Sequence, residues 1–201
     1  MVEVTFDEEA QIARAQAGDL QAFNKLVYNY QSITYNVAYR ILHDQDAASD
    51  ATQDAFLSAY KALDSFRGGS FKAWLLRIVT NACYDQLRRK KRQPTSSLDA
   101  LLVDGSPQDT FVDHTETPEA YTLRQDLGDV IQDGLDILPD DQRTTLVLAD
   151  IQGMHYKEIA GMMGVELGTV KSRLSRARAR LRDFLREQEE LLPQRYRLND
   201  D

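Results

Sequence analysis

Cysteine, tryptophan, histidine and proline are all scarce in this chain: 201 residues hold one, one, three and five of them. A single thiol, Cys83, excludes an internal disulfide framework and a cysteine-built zinc cluster. The three histidines, His43, His114 and His155, stand far apart on separate segments, and no glycine-rich loop ends in Lys-Ser or Lys-Thr. Neither a metal-ligand set, a phosphate-binding loop nor a catalytic pair is spelled out, so no cofactor, no metal and no enzymatic activity is expected. Asp140-Asp141 follow Pro139, where a helix start favours carboxylates, and need no catalytic explanation. No apolar run reaches the eighteen or so residues of a membrane span, and the N-terminus is acidic, so neither insertion nor secretion is expected. A reducing cytoplasm is the expected location, with Cys83 as a core residue.

The net charge is −8, with 24 Lys+Arg against 32 Asp+Glu, yet the charges are unevenly placed. Residues 1–92 are nearly balanced, residues 93–118 carry five acids and no base, and residues 119–154 remain acidic. Two basic clusters stand out, Arg88-Arg89-Lys90-Lys91-Arg92 and the Lys171–Arg186 stretch. Cationic patches on an acidic chain are the footprint of nucleic-acid contact, and the asymmetry is more informative than the total.

Apolar spacing is helical almost throughout. Phe23, Val27, Tyr30, Val37 and Ile41 define a long amphipathic helix after Gly18-Asp19. A second runs from about Ala47 to Leu63 with Ala51, Ala55 and Ala59 on a small-residue face, and Gly68-Gly69 break the pattern. Phe71, Trp74, Leu75, Ile78, Val79 and Ala82 set a third helix that runs into the basic pentad. Periodicity fails over residues 93–118, which hold three of the five prolines, and returns at Leu123, Leu127, Val130, Ile131, Leu135 and Leu138. It stops at Pro139 and resumes at Leu146. No stretch alternates as a strand would. The expected fold is all-α, with two helical domains (residues 1–92 and 119–186), a flexible acidic linker at 93–118 between them and a polar tail at 187–201.

The C-terminal third carries a helix-turn-helix pattern. Ala160 is small enough for a helix crossing, Gly164 suits a left-handed turn four residues on, and Val165 and Val170 clamp a second helix. At 100° per residue, Val170, Leu174, Ala177 and Leu181 form its inner stripe. Ser172, Ser175, Arg176 and Ala179 lie opposite, flanked by Lys171, Arg173 and Arg182. Small residues at the centre let the backbone approach DNA, and basic residues at the edges reach phosphates or guanine edges.

Two further patterns lie in the N-terminal half. Asp50, Gln53, Asp54 and Leu57 share one helix face, which by spacing alone either binds a partner or only solubilises the helix. On the next helix Arg77, Thr80, Tyr84 and Arg88 line the side opposite the apolar stripe, with Asn81 at its margin; basic residues interleaved with aromatics hold single strands by charge and stacking.

Together these motifs resemble the extracytoplasmic-function (ECF, group 4) sigma factors of bacterial RNA polymerase, over nearly all of residues 8–186. The matching elements, in order, are Gly18-Asp19…Ala22-Phe23, Asp50…Gln53-Asp54…Phe56, Trp74-Leu75…Arg77-Ile78…Asn81…Asp85…Arg88-Arg89, Leu138-Pro139…Gln142-Arg143, Tyr156…Glu158-Ile159-Ala160 and Gly168-Thr169-Val170-Lys171-Ser172-Arg173-Leu174. Ala51-Thr52 depart from the acidic pair more usual there. The resemblance implies a factor that binds core RNA polymerase and directs initiation by recognising a −35 duplex and a melted −10 element. Asp50, Gln53, Asp54 and Leu57 would meet the β′ clamp helices, and the second domain the β flap. Phe66, Arg67, Arg77, Asn81, Tyr84, Arg88, Arg89 and Lys90 would hold −10 DNA. Lys171, Ser172, Arg173, Ser175 and Arg176 would hold −35 DNA. The acidic linker would lie in the RNA exit path, and an anti-sigma factor is an implied partner. The runner-up is a helix-turn-helix regulator acting as an operator-binding dimer, which leaves the N-terminal motifs without a role.

Overall fold

The computed structural model describes residues 6–92 and 118–188. Its helices are α1 (Glu8–Gln16), α2 (Leu20–Leu42), α3 (Gln45–Ala62), α4 (Phe71–Arg92), α5 (Pro118–Asp136), α6 (Asp140–Leu146), α7 (Tyr156–Met163) and α8 (Leu167–Glu187). No strand occurs among the described residues. The expected linker lies outside them except for Pro118, which opens α5, and so does the tail beyond Gln188.

Aspartates start the first three helices. The carboxylates of Asp7, Asp19 and Asp44 accept backbone N–H bonds from Ala10 at 3.0 Å, Gln21 at 2.9 Å and Ala47 at 2.9 Å. Each satisfies a donor that the first helical turn leaves without a partner. The Arg14 guanidinium, 2.6 Å from Asp19, and the capped N–H groups hold that carboxyl below its usual range. α1 was not anticipated from apolar spacing: it is nine residues long and buries only Ile12 and Ala15. Its end still matters, because the Gln16 side-chain amide donates to the Leu63 and Phe66 carbonyls, both at 3.0 Å.

Ala48, Ala51, Ala55 and Ala59 on α3 are fully buried, so α3 lies close against α2 and α4. Phe66, Phe71 and Trp74 then close one end of the four-helix unit, with ring centroids 5.3 to 5.6 Å apart. Phe66 was expected on the −10 DNA list; it is only 8% exposed, and its ring is consumed by this packing. Cys83 is buried, and desolvation pushes its thiol up to about 12.

In the second half α5, α6 and α7 pack on α8. α6 continues as a π-helical turn through Ile151, with Gln152 N–H bonded to the Val147 carbonyl at 3.0 Å. Gly164 ends α7 at φ 64°, the left-handed turn expected of it.

The two halves share one core. Val37, Ala38 and Ile41 of α2 belong to the same buried cluster as Leu135, Leu138, Leu146, Val147 and Ile159. Arg143 spans the junction. Its guanidinium donates to the Ile41 carbonyl at 2.8 Å, to Leu135 at 3.0 Å, and to Asp136 and Leu138 at 3.2 Å. It thereby closes the C-terminal ends of both α2 and α5.

Replacing Arg143 by Met keeps the stem but strips these acceptors of their donor, and should lower unfolding stability by about 3 kcal/mol. Arg143→Lys should recover only part of that, because an ammonium cannot span acceptors on two helices. Urea unfolding followed by circular dichroism measures both. The Cys83 thiol should resist Ellman's reagent at mildly alkaline pH until the chain is unfolded, since only the thiolate reacts.

Candidate nucleic-acid interface

α8 places its side chains as its periodicity dictates. Val170, Leu174 and Ala177 are buried, while Lys171, Ser172, Ser175 and Arg176 are exposed on the outer side. The Arg176 guanidinium folds back to the Ser172 carbonyl at 3.1 Å and to its hydroxyl at 3.2 Å, an arrangement a DNA acceptor could displace without breaking the core. Arg173 behaves differently. Its side chain is only 19% exposed, and its Nε lies 2.9 Å from the Asp141 carboxylate on α6. Expected among the −35 contacts, it is committed to bracing α8 against α6.

The sequence reasoning missed a second brace. Arg178 makes two bonds to Asp150, at 2.6 and 2.8 Å, and one to the Tyr156 hydroxyl at 3.2 Å. Those partners hold the Arg178 guanidinium above its usual range, so it stays charged. The open groove beside it, about 590 Å³, is lined by Tyr156, Lys171, Ser175, Arg178, Ala179 and Arg182 among others. Tyr156 stood inside a quoted motif, but nothing in linear spacing pairs it with a residue 22 positions away.

α4 carries the second array. Arg77, Asn81, Arg88, Arg89 and Lys90 are exposed, as is Arg67 in the loop before it, where the guanidinium bonds the Asp64 carbonyl at 3.0 Å. Tyr84 is half-buried; burial first, and the nearby Asp141 and Asp140, push that phenol up against the opposing pull of Thr144 and Arg173. Thr80 is 1% exposed, and its Oγ1 has no hydrogen-bond partner. Thr80, Asn81, Tyr84 and Arg88 face Asp141, Met162, Met163, Val165 and Arg173 across a cleft of about 310 Å³.

On α3, Asp50, Gln53, Asp54 and Leu57 are all exposed on one face. Leu57 is 59% exposed and Tyr60 45%, so apolar surface accompanies the two carboxylates. Such mixed patches suit a protein partner better than water. Among the described residues no group of three His, Cys, Asp or Glu side chains could hold a metal, and no helix is long and apolar enough to cross a membrane.

If Arg173 braces and Arg176 reads, the two arginines separate on measurement. Arg173→Ala and Asp141→Ala should each lower stability by about 1 kcal/mol, and the double variant by less than their sum. Arg176→Ala should leave stability within about 0.5 kcal/mol of the parent. Urea unfolding of the four variants provides the cycle.

The comparisons with known proteins cover both halves. The family model described as Sigma-70 region 2 matches residues 26–93, and that described as Sigma-70, region 4 matches residues 129–181. RNA polymerase sigma-H factor of Pseudomonas aeruginosa is 37% identical over 178 residues, 87% of this chain and 92% of that protein. ECF RNA polymerase sigma-E factor of Escherichia coli is 36% identical over 173 residues, 85% and 90% of the two chains. Among solved structures, the sigma factor RpoE of Bartonella quintana, crystallised with the anti-sigma factor NepR, aligns at TM-score 0.64 and 29% identity over 83% of this chain and 98% of that one. With both halves matched by the family models, an exposed basic helix face on each and relatives of this identity along nearly their whole length, the chain belongs to the RNA polymerase sigma factors of the extracytoplasmic-function type.

Proposed function

We propose that this sigma factor joins core RNA polymerase and directs it to an alternative set of promoters, with residues 1–92 holding polymerase and −10 DNA and residues 119–186 holding −35 DNA. The observation that carries the reading is the coexistence, on one chain, of three differently built exposed faces. The α3 face offers two carboxylates beside an apolar side chain, Leu57. That is surface for a protein, and the β′ clamp helices are its proposed partner. The α4 face and the Arg67 loop offer guanidinium and ammonium groups with Asn81 and Tyr84, suited to a melted −10 strand. The α8 face offers Lys171, Ser172, Ser175 and Arg176, suited to the major groove of a −35 duplex.

Arg173 keeps a positioning role in this scheme, and Phe66 supports the loop from below. The second half would also meet the β flap, and the acidic segment 93–118 would occupy the RNA exit path. The factor supplies no bond-making chemistry of its own; nucleotide addition belongs to the polymerase. Its place is the cytoplasm, where promoter DNA and polymerase are. A cognate anti-sigma factor is proposed by analogy with the relative crystallised with one. An operator-binding dimer would leave the α3 face and the basic end of α4 unused.

Replacing Asp50 and Asp54 together by Lys should abolish co-purification with core polymerase while leaving thermal stability nearly unchanged, because both lie on a solvated helix face. Retained binding would remove the clamp assignment. Run-off transcription with core polymerase on a promoter library should return a paired motif at fixed spacing. Arg176→Ala should relax the −35 half of that motif, costing about 1–3 kcal/mol at the base it reads.

A further inference from the structure

We propose that Gln16, the last residue of α1, is a positioning residue for promoter selection: its side-chain amide fixes the backbone of the loop between α3 and α4 that takes the melted −10 strand. This role rests on the strand-binding reading above and deepens it, because it names what gives that loop one shape before DNA arrives.

The loop needs such a fixture. Residues 67–70 are all exposed, and Gly68 and Gly69 both sit at left-handed φ, 93° and 90°. A Cβ at either position would meet nothing within 4 Å, so the backbone and not the space calls for glycine. Glycines lose more conformational freedom on ordering than other residues, and an exposed stretch has little packing to offset that loss. The flanks are held better. Phe66 and Phe71 are buried, and Ser70 Oγ accepts the Ala73 N–H at 3.1 Å at the start of α4. The Arg67 guanidinium donates to the Asp64 carbonyl at 3.0 Å and the Ser65 hydroxyl to the Ala62 carbonyl at 2.6 Å. Those two bonds are local and would move with the turn.

Gln16 ties the turn to the rest of the fold. Its Nε2 donates to the Leu63 and Phe66 carbonyls, both at 3.0 Å, from 47 and 50 positions away in the chain. The Phe66 carbonyl belongs to the peptide bond that leads into Arg67. In a trans peptide the C=O and N–H point to opposite sides, so holding that oxygen toward α1 turns the Arg67 N–H the other way. Without the bond that peptide plane could rotate, and the glycine pair just beyond would not resist. The donor is itself rigidly carried. Ile12 and Ala15 seat α1 in the same buried cluster as Leu63, Phe66 and Phe71, and the Arg14 guanidinium bonds Asp19, which starts α2. α1 thereby gains a purpose beyond its two buried side chains. A loop ordered before it binds loses less entropy on binding, and it can hold one base in a geometry that rejects others.

The test uses the full chain with Gln16→Met, which keeps the length of the side chain and removes the donor, and Gln16→Lys, which returns a donor. In the free protein, nitrogen-15 relaxation should give order parameters for Arg67, Gly68 and Gly69 close to those of the helices. They should fall below about 0.6 in Gln16→Met and recover in Gln16→Lys. The thermal midpoint of either variant should move by no more than about 4 °C. With core polymerase, run-off transcription on a promoter library should show selectivity at one or two adjacent −10 positions reduced about tenfold in Gln16→Met, the order that two neutral hydrogen bonds support. Selectivity in the −35 half should stay within about twofold, and Gln16→Lys should restore the −10 half. A lysine that raises transcription from all sequences without restoring selectivity acts as a charge alone and overturns the proposal. An even loss over both halves of the motif marks Gln16 as a residue of the fold only and overturns it too, as does an unchanged loop in Gln16→Met. Arg67→Ala and Asn81→Ala separate this role from the reading it rests on. If they relax the −10 half and Gln16→Met does not, the positioning role alone fails. If none of the three does, the strand-binding assignment of the loop and α4 fails and takes the positioning role with it.

Discussion

The structure turns on what one guanidinium does at the ends of two helices. The last turn of an α-helix presents carbonyls with no intrahelical donor, and their partial negative charge favours a cation. α2 and α5 end side by side in a region that α6 covers, where water cannot serve all of these groups. Arg143, 11% exposed, answers with donors to the Ile41 carbonyl of α2, the Leu135 and Asp136 carbonyls of α5 and the Leu138 carbonyl just beyond α5. A planar fork with five donors can do this, and a point charge cannot. Everything downstream follows from the placement. α6 is fixed over the end of α2, α8 is fixed on α6 through Arg173 and Asp141, and the recognition face of α8 is left pointing outward.

The same logic explains how an acidic protein addresses nucleic acid. Its carboxylates are spent locally: Asp7, Asp19 and Asp44 start helices, Asp141 and Asp150 orient arginines of α8, and Asp140 meets Lys91. Lys171 and Arg176 of α8, and Arg89 and Lys90 near the end of α4, stand exposed on outer surfaces. Net charge therefore says little about partners here, while the distribution says much.

Much of this was legible in the chain itself. The glycine pair at 68–69, Gly164 and Gly18-Asp19 are local signals whose physics does not wait for tertiary structure, and the long helices beside them lie close to where the spacing places them. The alanine stripe of α3 was equally plain, because only close packing gives four small residues on one face a purpose. α1 escaped notice since nine residues burying two side chains make almost no periodic signal. Phe66 and Arg173 sit less exposed than their expected roles require, for a shared reason. Residue type and motif position place a side chain on an element, but whether it points outward depends on a neighbour 5 to 32 positions away: Phe71 for one, Asp141 for the other. The junction between halves was the least legible of all. Its contacts join residues up to about a hundred positions apart, such as Arg143 and Ile41, and no local pattern encodes a pairing at that separation.

Size gives the junction its energetic meaning. Both halves are small, and small domains bury a smaller fraction of their surface on folding than large ones do. Sharing a core across Ile41, Leu135 and Val147 lets each half stabilise the other, so separating them costs free energy that some partner must supply. A ligand shifts such an equilibrium only by its difference in affinity for the two states. Core polymerase meets that condition if it grips the α3 face and the second half at a separation the docked arrangement cannot reach. Moving a chain from about one part in a hundred open to ninety-nine takes roughly 5.5 kcal/mol of differential binding, within the range of a standard protein interface. The junction combines that shared core with charge-assisted bonds from Arg143, His43, Lys72 and Lys91, so both burial and polar pairing set what separation costs.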